Sequence, residues 1–396
     1  MGGPSDSATS APRRPAPAGP FLGVSVVELA GLGPAQHGAM ALADLGAEVV
    51  RIDRPESVAE RNPDGPAPEL LARGRRSLAL NLKSPAGHDL LERLLDEADV
   101  LIDPYRPGVL ERLDLDPERL LERNPRLIVA RMTGWGQSGP LAPTAGHDIN
   151  YLAIAGALEA IGDPDRPPPP PLNLVGDFGG GGMLLAFAIA TALFERERSG
   201  RGQILDVAMV DGVASLLTSI YQVEAEGRWS GARGAHWLQG GAPWYHAYRT
   251  ADDRFVAVGA LEPPFYANLL KALGLDPDEW PQWDEGAWPE QRRKLAEIFA
   301  AETMASWVER LGEAECCFAP VMRTDEAAAV GHMVERGTYV VVDGHAQPAP
   351  APRFSRTPGR LSSPPPWPGE HTAEILRERG VDAEALTALR ASGAVR

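Results

Sequence analysis

The chain has 396 residues, 44% hydrophobic and 23% charged, a composition that fits a globular protein and excludes disorder throughout. Its formal net charge of −16 argues against a general nucleic-acid or anionic-membrane surface, so a polyanionic ligand must be held by a few placed cations. Only two cysteines occur, Cys316 and Cys317, adjacent in sequence; this spacing suits neither a disulfide framework nor a metal site and fits a reducing, cytoplasmic location.

Residues 1–20, MGGPSDSATSAPRRPAPAGP, lack the apolar core of a signal peptide and read as a disordered arm. The β-branched run VSVVEL (24–29), the helical pattern AQHGAMALADLGA (35–47) and EVVRIDRP (48–55) make a βαβ unit. RSLALNL (76–82), PAGHDLLERLLDEA (85–98), DVLID (99–103) and RLIVARMTGWG (126–136) continue the alternation, which predicts a mostly parallel sheet covered by helices. The proline run at 164–171 is a stiff connector, and residues 181–197 form an apolar helix expected to be buried or at a subunit interface. No apolar run approaches the roughly 18 residues of a bilayer span, and the final ASGAVR is not a peroxisomal tripeptide.

Beyond Gly227 the texture turns to Trp, Gly and Tyr, with a strand at 254–261 and helical segments near 264–273 and 288–312. A Pro-rich return path at 346–371 precedes a helix at 372–380. The expected organisation is an arm (1–20), a large Rossmann-like α/β domain (21–226), a small α+β domain (227–345), and a C-terminal segment (346–396) that completes the large domain.

Two glycine-containing turns invite a phosphate-binding role. Gly31-x-Gly33 follows the first strand, and Asp53, twenty residues beyond Gly33, has the spacing of a ribose-binding acid. However, Gln36 replaces the third glycine of that fingerprint, and Pro34 intrudes. The second turn, LNLVGDFGGGGM (172–183), lacks the Lys-Ser/Thr ending of a P-loop. What remains for it is close approach, with Asp177 delivered at the start of a helix beside room for a substrate. Thirty residues earlier, His147 precedes the helical pattern INYLAIAGALEAI, with Asp148 in a first-turn or capping position. Each residue alone is as readily a cap or a turn former. Together they offer two bases of different type, which a two-base proton transfer requires.

The stretches GHDINYLAIAGAL, PLNLVGDFGGGGM, ARMTGWGQSGP, YRPGV, VVRIDRP and GALEPPFY resemble the α-methylacyl-CoA racemase family of the class III CoA-transferase superfamily, from about Gly23 to Gly369. The resemblance implies a Rossmann-like large domain with a smaller inserted domain, and an interlocked homodimer. It implies His147 and Asp177 as the catalytic bases and Glu262 as the carboxylate that orients the imidazole. The implied CoA and substrate contacts are Arg54, the run Leu80, Asn81, Leu82 and Lys83, Arg106, and the loop of Gly146, Ile149, Asn150 and Tyr151. Arginine forks suit phosphates. Asn81 stands where this family is expected to carry aspartate.

The implied chemistry is interconversion of (2R)- and (2S)-2-methylacyl-CoA thioesters through an enolate, with no cofactor or metal. The backbone N–H of Asp148 is the expected donor to the enolate oxygen, and an apolar surface containing methionine is expected for the acyl chain. The rival is a CoA-transferase of the same superfamily with Asp177 as nucleophile; that chemistry has no need of a histidine at 147. A non-catalytic acyl-CoA-binding protein would not require the His147, Asp177 and Glu262 trio.

Overall fold

The structure is a computed structural model that describes residues 18–58, 69–229, 231–342 and 344–396; nearly all of the arm expected at 1–20 therefore lies outside the described residues. Two compact units are present, one of residues up to 152, 172–215 and 339–396, the other of 153–171 and 216–338. Residues 153–171 and 216–226, which the linear pattern attaches to the large domain, fall in the second unit.

Strand β1 (Ser25–Leu29) leads through α1 (Pro34–Asp44) to β2 (Glu48–Asp53). Then come β3 (Arg75–Ala79), α2 (Pro85–Glu97), β4 (Val100–Asp103), the short α3 (Val109–Arg112) and α4 (Pro117–Arg123), and β5 (Ile128–Thr133). Proline at the first turn of α1, α2 and α4 costs no hydrogen bond, because that N–H has no helical partner. The stretch 126–136, read as a strand running into a loop, makes that change at Thr133, and Gly136, at φ +86, turns within the loop.

Helix α5 (Asp148–Ile154) follows, then a π-helical segment, Leu174–Met183, that runs into α6 (Leu184–Ser199), then β6 (Ile204–Ala208) and α7 (Met209–Leu216). The continuous helix Leu174–Ser199 spans 26 residues and is, by length and composition, apolar enough to cross a bilayer, which corrects the expectation that no segment reaches that length. The glycines extend it beyond the apolar run itself. Leu185, Ile189, Ala192 and Leu193 bury one side of α6 in the core, whereas Phe187 and Phe194 are each 66% exposed, so burial holds for only one face.

The six strands form one parallel sheet in the order β3-β2-β1-β4-β5-β6, the doubly wound arrangement. Alternation along each strand feeds two separate cores. Val27, Leu29, Leu101 and Val129 face one layer with α2, while Val26, Val100, Ile102 and Ile128 face the other with α1 and α6. Both faces are therefore covered, which is why these strands read as continuous apolar runs.

The second unit contains α8 (Thr218–Ala225), β7 (Tyr245–Arg249), β8 (Phe255–Gly259), α9 (Pro263–Leu273), α10 (Trp288–Ala300), α11 (Met304–Leu311), β9 (Phe318–Pro320), α12 (Thr324–Ala327) and α13 (Gly331–Arg336). Its antiparallel sheet is ordered β7-β8-β9 over a core rich in Trp244, Phe299 and Trp307. The helix expected over 288–312 is two helices, because Thr303 caps a new one, accepting from the Ser306 N–H at 3.3 Å.

The chain then returns to the first unit with the hairpin β10 (Tyr339–Val342) and β11 (His345–Pro348), α14 (Thr372–Glu378) and α15 (Ala383–Ala391). Strand β11 overlaps the start of the segment read as extended, and β10 lies in residues read as part of the small domain. Helix α15 escaped the sequence reading although Asp382 caps it, accepting from the Ala385 N–H at 2.8 Å.

Candidate active site

The ends of β1, β4 and β5 and the start of the π-helical segment converge on a cavity of about 340 Å³ in the first unit. His147 and Asp177 both line it, together with Gly146 and Tyr151, and with Leu32, Pro34, Trp135, Met132 and Met209. Two of the eight methionines thus face the site. The pairing of His147 with Asp177, the neighbours Gly146, Tyr151 and Arg106, and the stretch holding Met132 and Trp135 were visible in the sequence; Leu32, Pro34 and Met209 of the apolar wall were not.

The loop before α5 explains how His147 is held. Its N–H donates to Asn150 Oδ1 at 3.0 Å, and its carbonyl accepts the Asn150 N–H at 2.8 Å, a reciprocal cap that leaves the imidazole exposed. Asn150 thus caps the loop through its Oδ1, and of this loop Gly146 and Tyr151 line the cavity, while Ile149 and Asn150 line neither cavity described here. Tyr151 is buried edge-on to Trp135, with ring centroids 4.8 Å apart. A Cβ on Gly134 would lie 2.3 Å from the Tyr151 ring and one on Gly146 2.8 Å from it, so both glycines serve this packing. Burial, reinforced by the charge of Asp177, pushes the Tyr151 phenol up to about 12.

Asp177 lies in the first turn of the π-helical segment, half-buried. Its N–H donates to Asp148 Oδ2 at 2.7 Å, so the Asp148 side chain ties the loop of one base to the loop of the other. The second Asp148 oxygen, Oδ1, is buried with no hydrogen-bond partner among the described residues. Burial holds the Asp177 carboxyl above its ordinary range, and the neighbouring Asp148 carboxylate adds to this; a hydrogen bond with Asn173 and the proximity of His147 act the other way. Asp148 opens α5, whose first N–H groups have no intrahelical acceptor. With seven residues, α5 contributes this backbone donor and little more.

The glycines after Asp177 answer a different need from substrate access. A Cβ on Gly181 would meet Pro34 at 2.8 Å, one on Gly182 would meet His37 at 2.6 Å, and one on Gly212 would meet the Gly180 carbonyl at 1.9 Å. The run lets the segment press against α1 and α7 backbone to backbone, and His37 of α1 stacks on Phe178, with centroids 4.7 Å apart. Gly33, at φ +57, lies against the Asp177 carboxylate itself, where a Cβ would come within 3.3 Å of its Oδ2.

A larger groove of about 1160 Å³ adjoins the cavity, sharing Leu32, Pro104, Arg106 and Pro107 with it. Its lining includes every groove residue expected from the sequence, namely Arg54, Leu80, Asn81, Leu82, Lys83 and Arg106, plus Tyr105 of the YRPGV stretch and Arg112, which carried no signal. Arg54, Lys83 and Arg106 are exposed, giving a cationic strip on an otherwise acidic chain. Asp53, the ribose acid of the dinucleotide reading, is buried, paired with Arg51 at 2.8 Å and hydrogen-bonded by Ser77 Oγ at 2.6 Å. Glu262 belongs to the second unit, at the N-cap position of α9, where its side chain makes no capping hydrogen bond.

Comparison with known proteins gives the following. Residues 21–372 match the sequence model of CoA-transferase family III. Alpha-methylacyl-CoA racemase of Mus musculus is 48% identical over 371 residues, which cover 93% of this chain and 95% of the mouse protein. The racemase of Homo sapiens is 46% identical over 367 residues, covering 92% and 94%. Among solved structures, a CAIB/BAIF family protein from Brucella suis matches with a TM-score of 0.78 at 27% identity, over 91% of this chain and 99% of that one.

Proposed function

The chain belongs to CoA-transferase family III, and on that premise we propose that it is an isomerase that interconverts (2R)- and (2S)-2-methylacyl-CoA thioesters. The observation that carries the reading is the junction of a cationic groove with a smaller cavity holding a histidine and an aspartate, through the shared residues Leu32, Pro104, Arg106 and Pro107. Names of relatives at 46–48% identity support it independently. In this reading the CoA phosphates lie along Arg54, Lys83 and Arg106, and the thioester enters the cavity.

His147 and Asp177 then stand on opposite faces of C2. One removes the α-proton and the other, as conjugate acid, returns a proton to the far face, so configuration is lost without redox change. The negative charge that develops on the thioester oxygen is met by the Asp148 N–H; a preorganised donor of this type is worth roughly 2.7–4 kcal/mol. Burial that keeps Asp177 easily protonated suits an aspartate that must serve as an acid in one direction. The same proposal includes a homodimer in the cytoplasm; the exposed Phe187 and Phe194 on α6 are consistent with a partner surface, which light scattering tests.

NMR of a 2-methylacyl-CoA ester incubated with the protein in D₂O tests the chemistry. Deuterium at C2 of both epimers is the expected result, with interconversion lost and exchange confined to one epimer when His147 or Asp177 is replaced by alanine. Transfer of CoA to an added carboxylic acid in an Asp177-dependent way, with no deuterium at C2, would replace the racemase with a transferase.

A further inference from the structure

Asn81 is one of the groove residues, and the structure gives its side chain two bonds, neither directed at a ligand. Its Oδ1 accepts the Lys83 N–H at 3.1 Å, and its Nδ2 donates to the Gly393 carbonyl at 3.3 Å. The Asn81 N–H donates to the Ala394 carbonyl at 2.9 Å, and Leu80 pairs antiparallel with Val395. Ala394 and Val395 are buried in the core beneath α2. The tail reaches this position because Gly393, at φ +71, ends α15 in a left-handed turn, with the Ala394 N–H donating to the Leu389 carbonyl at 3.0 Å. The same Asn81 backbone builds the turn into α2, its carbonyl accepting from Ser84 N–H and Oγ.

We propose that Asn81 is a positioning residue that clamps the segment Gly393–Val395 to the wall of the groove, so that docking of this segment and binding of the CoA moiety are coupled. One side chain fixes the Lys83 backbone with its oxygen and the tail with its nitrogen, so a shift of the tail moves the cation-bearing turn. An aspartate, the residue expected at this position, could keep the bond to Lys83 but would set a second acceptor against the Gly393 carbonyl. The asparagine therefore adds a side-chain bond to a tail already held by the Asn81 N–H and the Leu80–Val395 pairing, where an aspartate would add a repulsion. Coupling is reciprocal: if the docked tail favours CoA, then CoA must hold the tail.

The proposal rests on the groove being the CoA site, and the test separates the two. Binding of CoA to the full chain is measured by calorimetry for the natural protein and for Asn81→Asp, and amide hydrogen exchange of residues 389–396 is followed with and without CoA. The expected results are slower exchange of this peptide when CoA is added, and, in Asn81→Asp, faster exchange and CoA binding weakened about threefold to tenfold, the scale of one lost hydrogen bond. KM for the thioester should rise in step while kcat holds, and Asn81→Gln, which keeps the donor, should recover part of the loss. Natural CoA affinity in Asn81→Asp, or a tail whose exchange ignores CoA, overturns the clamp alone. Failure of the natural protein to bind CoA overturns the groove assignment and the clamp with it.

Discussion

Two desolvated carboxylates in the first unit show opposite uses of the same physics. Glu28, on β1, is fully buried, and its Oε2 lies 2.8 Å from Arg75 Nε, itself fully buried. The Arg75 guanidinium also donates to the Leu71 and Gln36 carbonyls. Burial pushes the Glu28 carboxyl up to about 7, with Arg75 the largest force against it. For Asp177 burial is again the first cause, but the second is another carboxylate, Asp148, pushing the same way. Arg75 ties the buried Glu28 into the fold as a structural strut, whereas the carboxylate beside Asp177 adds to the upward push of burial on an acid that lines a cavity.

The sharpest way to separate these roles is to remove each acid's defining partner or charge. Asp177→Asn should lower epimer interconversion by about 10²–10⁴-fold, the range for a general acid or base, while urea denaturation midpoints stay near those of the natural protein. Because two bases act from two faces, His147 should still wash deuterium into one epimer of this variant, which NMR of each separated epimer reads. At the strut the readout reverses. Arg75→Met strands Glu28 without its cation and should cost about 3–5 kcal/mol in urea unfolding, with activity per folded molecule retained. The double variant Glu28→Leu, Arg75→Met should regain most of that loss; no recovery would mean that the guanidinium's carbonyl bonds, and not the ion pair, hold this region.

A smaller effect probes what separates the two carboxylates in packing. Gly212→Ala drives a Cβ against the Gly180 carbonyl, and overpacking of this kind typically costs about 1–3 kcal/mol. If the glycine run positions Asp177, interconversion should fall in the folded variant as well, measured at saturating thioester. The sequence did not disclose this use of glycine, since Gly212 and Pro34 are far from the run in the chain and only the fold presses them together. By contrast, the βαβ pattern was plain because strands such as Val100–Asp103 are buried on both faces and carry no polar interruption. The groove residues from Arg54 to Arg106 were legible as motifs. The capping role of Asn150 was not legible, as a capping asparagine and a ligand-binding one look alike until the His147 N–H is seen to donate to its Oδ1. The Asp148 carboxylate was likewise invisible as a tie between the two loops, because sequence drew attention to its backbone.

That tie supplies the subtlest prediction. The productive enzyme carries one proton across the His147 and Asp177 pair, and a second proton leaves no base. The acid limb of kcat/KM therefore reports a pKa of the pair to which Asp177 contributes most. Asp148→Asn retains an oxygen that can accept the Asp177 N–H but removes the charge that pushes the Asp177 carboxyl up. Asp177 should then ionise more readily and the acid limb should move to lower pH, with only a modest fall in the plateau rate. Thioester exchange in D₂O across a series of buffers measures it. A limb that stays in place would mean that burial alone sets Asp177, and the contrast with Glu28 would reduce to the presence or absence of an arginine.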